Sequence, residues 1–187
     1  MKCTKLSIPE VILFEPRIFE DDRGHFFESF NLAKFQESIG RQVTFVQSNE
    51  SYSKQNVIRG LHYQVIRPQG KLVRVVEGEV FDIAVDLRKS SPTFGQWVGV
   101  LLSDKNNHQL WIPEGFGHGF QVLSPSAKFQ YMVTDYWYPE HDRCIRFNDS
   151  DINIKWKEGI ISEQQVIEYK LSSKDISGNS LADAEVF

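Results

Sequence analysis

The chain has 187 residues, 41% of them hydrophobic and 25% charged, with a formal net charge of −4. That length suits one domain with a buried core, spanning 1–187, and the acidic balance argues against a nucleic-acid or polybasic membrane binder. No apolar run nears the roughly 20 residues that span a bilayer, and the short stretch Val11 to Phe14 behind the charged amino terminus is no signal peptide, so a cytoplasmic location is expected.

The first legible element is a helix. Asn31 suits its cap, Leu32, Phe35 and Ile39 recur on one face, and Gly40 ends it. After it the hydrophobic period changes to two. Leu72 to Val76 and Glu79 to Leu87 read as a hairpin about a Glu77-Gly78 turn. In the second arm Phe81, Ile83, Val85 and Leu87 share one face, while Val80, Asp82, Ala84 and Asp86 share the other. Further strands are expected at Gln96 to Leu102, His108 to Ile112, Gly117 to Leu123, Lys128 to Trp137, Cys144 to Phe147 and Ile152 to Trp156. The chain after Gly159 reads as irregular, with a turn or helix start at Leu171 to Asp175 and a loosely held last dozen residues.

Many short strands punctuated by Pro, Gly and Asn mean a β-sandwich or barrel. Several of them carry polar side chains on both faces, which suits a barrel with a wetted pocket. The two cysteines, Cys3 and Cys144, lack a metal-binding spacing and are expected to be free thiols.

Two segments carry chemistry. Arg59-Gly60-Leu61-His62-Tyr63-Gln64 and Gln69-Gly70-Lys71-Leu72-Val73-Arg74 put a histidine and a lysine on successive β-type segments. An imidazole can take a proton from carbon beside a carbonyl while an ammonium holds the resulting oxyanion. The Pro-x-Gly-x-x-His core of Trp111 to Phe120 resembles the second motif of the cupin superfamily, in which that histidine often binds a metal. Position 64, where such cupins place a second histidine, is Gln64, so His62 and His118 lack an obvious third ligand and no metal is expected.

With these segments stand Asp22 to Glu28, Val46 to Asn49, Ser91 to Gly95 and Leu171 to Asp175. Together they resemble the thymidine-diphosphate-4-keto-6-deoxyglucose 3,5-epimerases of dTDP-L-rhamnose synthesis, from Ile8 to Asp175. The resemblance implies an all-β fold, a cupin-type double-stranded β-helix or jelly roll with a few short helices. It also implies an isomerase that uses no cofactor and inverts C3 and C5 of a dTDP-4-keto sugar. His62 resembles the general base, Asp175 the carboxylate that orients it, Lys71 the enolate holder and Tyr131 the acid on the opposite face. Arg23, Phe26, Glu28, Gln47, Asn49, Arg59, Lys71, His118, Asp142 and Lys174 fall at substrate-holding positions, and Trp137 where an aromatic ring stacks on thymine. A homodimer that exchanges its amino-terminal strands is also implied, with Arg23 and Glu28 serving the neighbour's site.

Ser48, Glu50, Gly117 and Lys157 depart from the family pattern. Ser48 and Glu50 adjoin substrate-holding positions and so bear on sugar preference. An epimerase acting on one carbon and a non-catalytic sugar-nucleotide-binding cupin are the alternatives. The second predicts loss of His62, Lys71, Tyr131 or Asp175, and all four are present.

Overall fold

A computed structural model describes residues 1–157 and 168–187; the stretch expected to be irregular after Gly159 lies outside them as far as residue 167. In chain order the elements are β1 (Lys2–Lys5), β2 (Ile12–Glu15), β3 (Phe19–Asp21), β4 (Gly24–Phe26), α1 (Leu32–Ile39), β5 (Gln47–Lys54), β6 (Ile58–Gln64), β7 (Lys71–Glu77) and β8 (Glu79–Asp86). There follow β9 (Trp97–Ser103), β10 (Gln109–Ile112), β11 (Phe116–Val122), β12 (Ser126–Val133), a 3-10 turn (Pro139–His141), β13 (Asp142–Cys144) and α2 (Ser173–Ile176). No helix among the described residues is long and apolar enough to cross a membrane.

The strands form two antiparallel sheets, ordered β1-β2-β10-β7-β12-β5 and β13-β6-β11-β8-β9, with β3-β4 as a separate hairpin. This is the jelly roll expected from the sequence. The inner faces meet in a core of Val73, Val75 and Phe129 from the first sheet and Val80, Ala84, Phe120 and Val122 from the second. The outer face of the second sheet is also covered, because Phe81, Ile83, Val85 and Leu87 pack with Ile145, Ile152 and the last residues of the chain. Burial on both faces follows, and every β8 residue after Glu79 is buried, Asp82 and Asp86 among them.

The helix reads as expected. Asn31 Oδ1 accepts the Lys34 N–H at 3.2 Å, and Gly40 closes the helix at φ 72°. Phe35 buries the apolar face against Phe14 and Trp111.

Four expectations are corrected. The Glu77-Gly78 turn makes no hairpin: β7 and β8 lie in different sheets, and their apolar residues face each other across the core. Gly78 permits this corner at φ 85°, where a Cβ would lie 2.1 Å from Ser126 O. β12 ends at Val133 rather than Trp137, because side chains divert the backbone there. Thr134 Oγ1 accepts the Gly70 N–H at 2.8 Å and Asp135 accepts from Arg67. Ile152 to Trp156 form no strand; Asp149 Oδ1 accepts the N–H groups of Asp151 and Ile152 and turns the chain instead. The last dozen residues are held, not loose. Phe187 exchanges backbone hydrogen bonds with Leu87 and Lys89 at 3.1 and 2.7 Å, and Tyr63 Oη donates to Glu185 O at 2.8 Å.

Candidate active site

Between the two sheets lies a cavity of about 270 Å³. The first sheet contributes Lys71 from β7, Tyr131 from β12 and Ser51 from β5, and the second contributes His62 from β6 and His118 from β11. Lys71 pairs with Val133 and Tyr131 with Val73, so strand alternation puts Lys71 and Tyr131 on the same inner face. His62 approaches from the opposite wall.

His62 is seated by a close strand contact. On β6, a Cβ at Gly60 would lie 2.6 Å from Gly119 Cα and His118 O, so only glycine lets β6 and β11 approach this closely. The Gly60 N–H donates to Asp175 Oδ1 at 3.0 Å, and the same oxygen accepts from His62 Nε2 at 2.7 Å. The other carboxylate oxygen accepts from the Ser172 N–H at 3.1 Å and Oγ at 2.5 Å in a capping box that starts α2. Burial alone would raise the Asp175 pKa, but the bonds from His62, Ser172 and Gly60 outweigh it and hold the carboxyl well below its usual range. An ionised carboxylate only accepts, so Nε2 carries the proton toward Asp175 and Nδ1 keeps the basic lone pair.

Lys71 is buried, and burial pushes its ammonium down to about 8 against the pull of Asp142 and Asp82. A cation in so dry a place acts strongly on any negative oxygen brought beside it. Tyr131 is pushed up by burial, with Arg59 opposing, so its phenol keeps its proton at neutral pH.

Around this centre, Arg59 Nε donates to Ser53 Oγ at 3.0 Å and His118 Nε2 meets the fully buried Asp82 at 3.0 Å. Trp137 is 56% exposed at the rim, and its Nε1 donates to Asp142 Oδ2 at 3.1 Å. Lys174 forms an ion pair with Asp142. Gln47 Nε2 donates to Asn49 Oδ1 at 2.8 Å, and both lie on the β5 face that includes Ser51. Arg23, Phe26 and Glu28 are not brought to this cavity. They sit on or beside the β3-β4 hairpin, whose strands pair only with each other among the described residues.

Ser48 and Glu50 alternate onto the opposite, exposed face of β5, where Glu50 accepts from Gln130 at 2.7 Å. A direct influence on sugar preference is therefore withdrawn. Sequence reasoning gave no role to Ser51, whose buried Oγ has no hydrogen-bond partner among the described residues, or to Asp82 and Cys144. For Asp82 the signal was present, as a carboxylate flanked by Val80 and Ala84 on one face of β8.

The customary cupin ligand set is not assembled. Gln64 spends its amide on backbone, donating to Arg67 O and Tyr136 O and accepting from the Tyr138 N–H at 2.6 Å. His118 is engaged by Asp82.

Comparisons with known proteins identify the family. Residues 5–183 match the profile of the dTDP-4-dehydrorhamnose 3,5-epimerase family. The Pseudomonas aeruginosa protein of that name is 56% identical over 187 residues, covering 100% of this chain and 99% of its own. The Shigella flexneri protein of that name is 53% identical, covering 100% and 99%. A crystal structure of the 3,5-epimerase from Legionella pneumophila in complex with dTDP-4-keto-L-rhamnose superposes with a TM-score of 0.91. It is 47% identical, covering 98% of this chain and 94% of that one.

Proposed function

The chain belongs to the dTDP-4-dehydrorhamnose 3,5-epimerase family, and from that premise we propose how its own residues carry out the reaction. The activity is epimerisation at C3 and C5 of dTDP-4-keto-6-deoxy-D-glucose to dTDP-4-keto-L-rhamnose, an isomerase step of dTDP-rhamnose synthesis. The observation that carries the residue roles is the opposition of His62 and Tyr131 on facing sheets, with the buried Lys71 lining the same cavity.

His62 Nδ1 removes the proton from carbon next to the C4 ketone. The electron pair moves onto the C4 oxygen, where Lys71 stabilises the enolate, a contribution of about 3–4 kcal/mol for one preorganised donor. Tyr131 then gives its phenolic proton to the opposite face of the same carbon. The imidazolium and the phenolate return to their starting states by exchange with water. Asp175 keeps the imidazole in the tautomer that this sequence needs. Return of the proton by His62 alone would only regenerate the starting isomer.

Arg59 suits the diphosphate through paired charge-assisted bonds. Gln47, Asn49, His118, Asp142 and Lys174 hold the rest of the sugar nucleotide, and Trp137 offers its exposed face to the thymine base. The protein acts as a single cytoplasmic domain assembled into homodimers, in which the β3-β4 hairpin carries Arg23, Phe26 and Glu28 to the neighbour's cavity. In support, Phe26 is 71% exposed on a hairpin whose strands pair with neither sheet among the described residues. Light scattering should give twice the chain mass, and a monomeric mass would overturn the exchange.

Incubating the protein with dTDP-4-keto-6-deoxyglucose in deuterated water tests the activity. NMR should show dTDP-4-keto-L-rhamnose labelled at C3 and C5. Label at one carbon means a single epimerase, and an untouched substrate refutes the proposal.

A further inference from the structure

β13 pairs with β6 so that Cys144 stands directly opposite His62. Residues paired in this way project to the same side with Cβ atoms about 4.5–5.5 Å apart. Asp175 reaches the same point from α2, and one ligand atom from each of His62, Cys144 and Asp175 lies within 4.8 Å of the others. The reaction uses an imidazole and a carboxylate here and has no need of a thiol.

The geometry points to a soft divalent cation site formed by His62, Cys144 and Asp175, at which zinc or cadmium blocks the dyad. The donor types select the ion: thiolate with imidazole suits zinc and its soft congeners, whereas magnesium and calcium want oxygen alone. A tetrahedral zinc ion holds its donors roughly 3.3–3.8 Å apart, so the trio must close only slightly around Cys144 while the 2.7 Å His62–Asp175 contact opens. Asp175 is already oriented by Gly60 and Ser172, the outer support that metal-binding carboxylates use. The side chain of His62 is 30% exposed, which leaves a way in and a fourth position for water. Binding exchanges the thiol S–H bond for a metal–sulfur bond and releases that proton to water, with no change of oxidation state. The imidazole passes its Nε2 proton to Nδ1 through water and coordinates through the freed Nε2 lone pair, so the dyad hydrogen bond is broken. The site stands apart from the reaction assigned to His62; only the inhibition rests on that reading.

Cadmium alone, titrated into chelator-treated full-length protein, reports binding through thiolate-to-cadmium charge-transfer absorption. Cys3 is exposed and is removed as a competitor. The band should persist in Cys3→Ser, vanish in Cys144→Ala and Cys144→Ser, and need at least tenfold more cadmium in His62→Ala. Zinc should inhibit wild-type turnover, and both Cys144 variants, with basal rates unchanged, should need at least tenfold more zinc for the same inhibition. A band that survives in Cys144→Ala, or is missing from Cys3→Ser, overturns the site. A cadmium band without zinc inhibition overturns the blocking role and leaves the binding intact.

Discussion

Replacing Lys71 with Met should make the protein more stable and nearly inactive. The side chain is 8% exposed, and its ammonium is pushed from 10.5 to about 8 by burial. At about 1.36 kcal/mol per tenfold, that fall means roughly 3 kcal/mol is spent keeping the charge in the fold at pH 7. Met keeps most of the volume and removes the charge. The carboxylates left behind retain partners, since Asp142 keeps Lys174 and Asp82 keeps His118. A net gain of about 1–3 kcal/mol in urea unfolding is expected at pH 7. The sign fixes a pH window. The penalty on wild type is fully present below about 8 and disappears above 10.5, so the two proteins should converge there. Turnover should fall by about 10²–10³-fold, the usual cost of one lost oxyanion donor. A variant that is less stable at pH 7 and still fast would refute both halves of the reasoning.

Other predictions follow from the same contacts. Wild-type turnover should decline as pH rises through about 8, because Lys71 then loses the charge that holds the enolate. Asp175→Asn replaces an all-acceptor group with one that turns an N–H toward donors; initial rates should drop by at least about 10²-fold. Trp137→Ala should raise KM by roughly 5- to 150-fold, the equivalent of about 1–3 kcal/mol of base stacking, with kcat little changed. Phe129→Ala empties the centre of the core and should cost about 3–5 kcal/mol in unfolding free energy.

Much of this was legible in the sequence where one local rule decided the outcome. The helix between Asn31 and Gly40 has a cap, an apolar face and a left-handed stop, and it formed as read. The alternation of Phe81 to Leu87 correctly separated two faces, because β8 has a different core on each side. Partner choice was not legible. Glu77-Gly78 resembles a hairpin turn, and only the second sheet's existence makes it a corner. Lys128 to Trp137 reads as one strand because nothing in its pattern reveals that Thr134 and Asp135 are bonded to Gly70 and Arg67. Site residues close in sequence were found by motif. The His62–Asp175 contact spans 113 positions, and kinship could suggest it while geometry alone could establish it. Cys144 was passed over because its value comes entirely from the strand opposite.

Carbon-resolved exchange of solvent deuterium into the ketosugar, compared between His62→Ala and Tyr131→Phe, tests the division of labour most directly. The alanine variant should take up no label at C3 or C5, because nothing removes a proton. The phenylalanine variant should still exchange label with retention while forming little rhamnose product. Wild-type exchange in the alanine variant, or full inversion without the phenol, would contradict the assignment of base and acid to opposite walls.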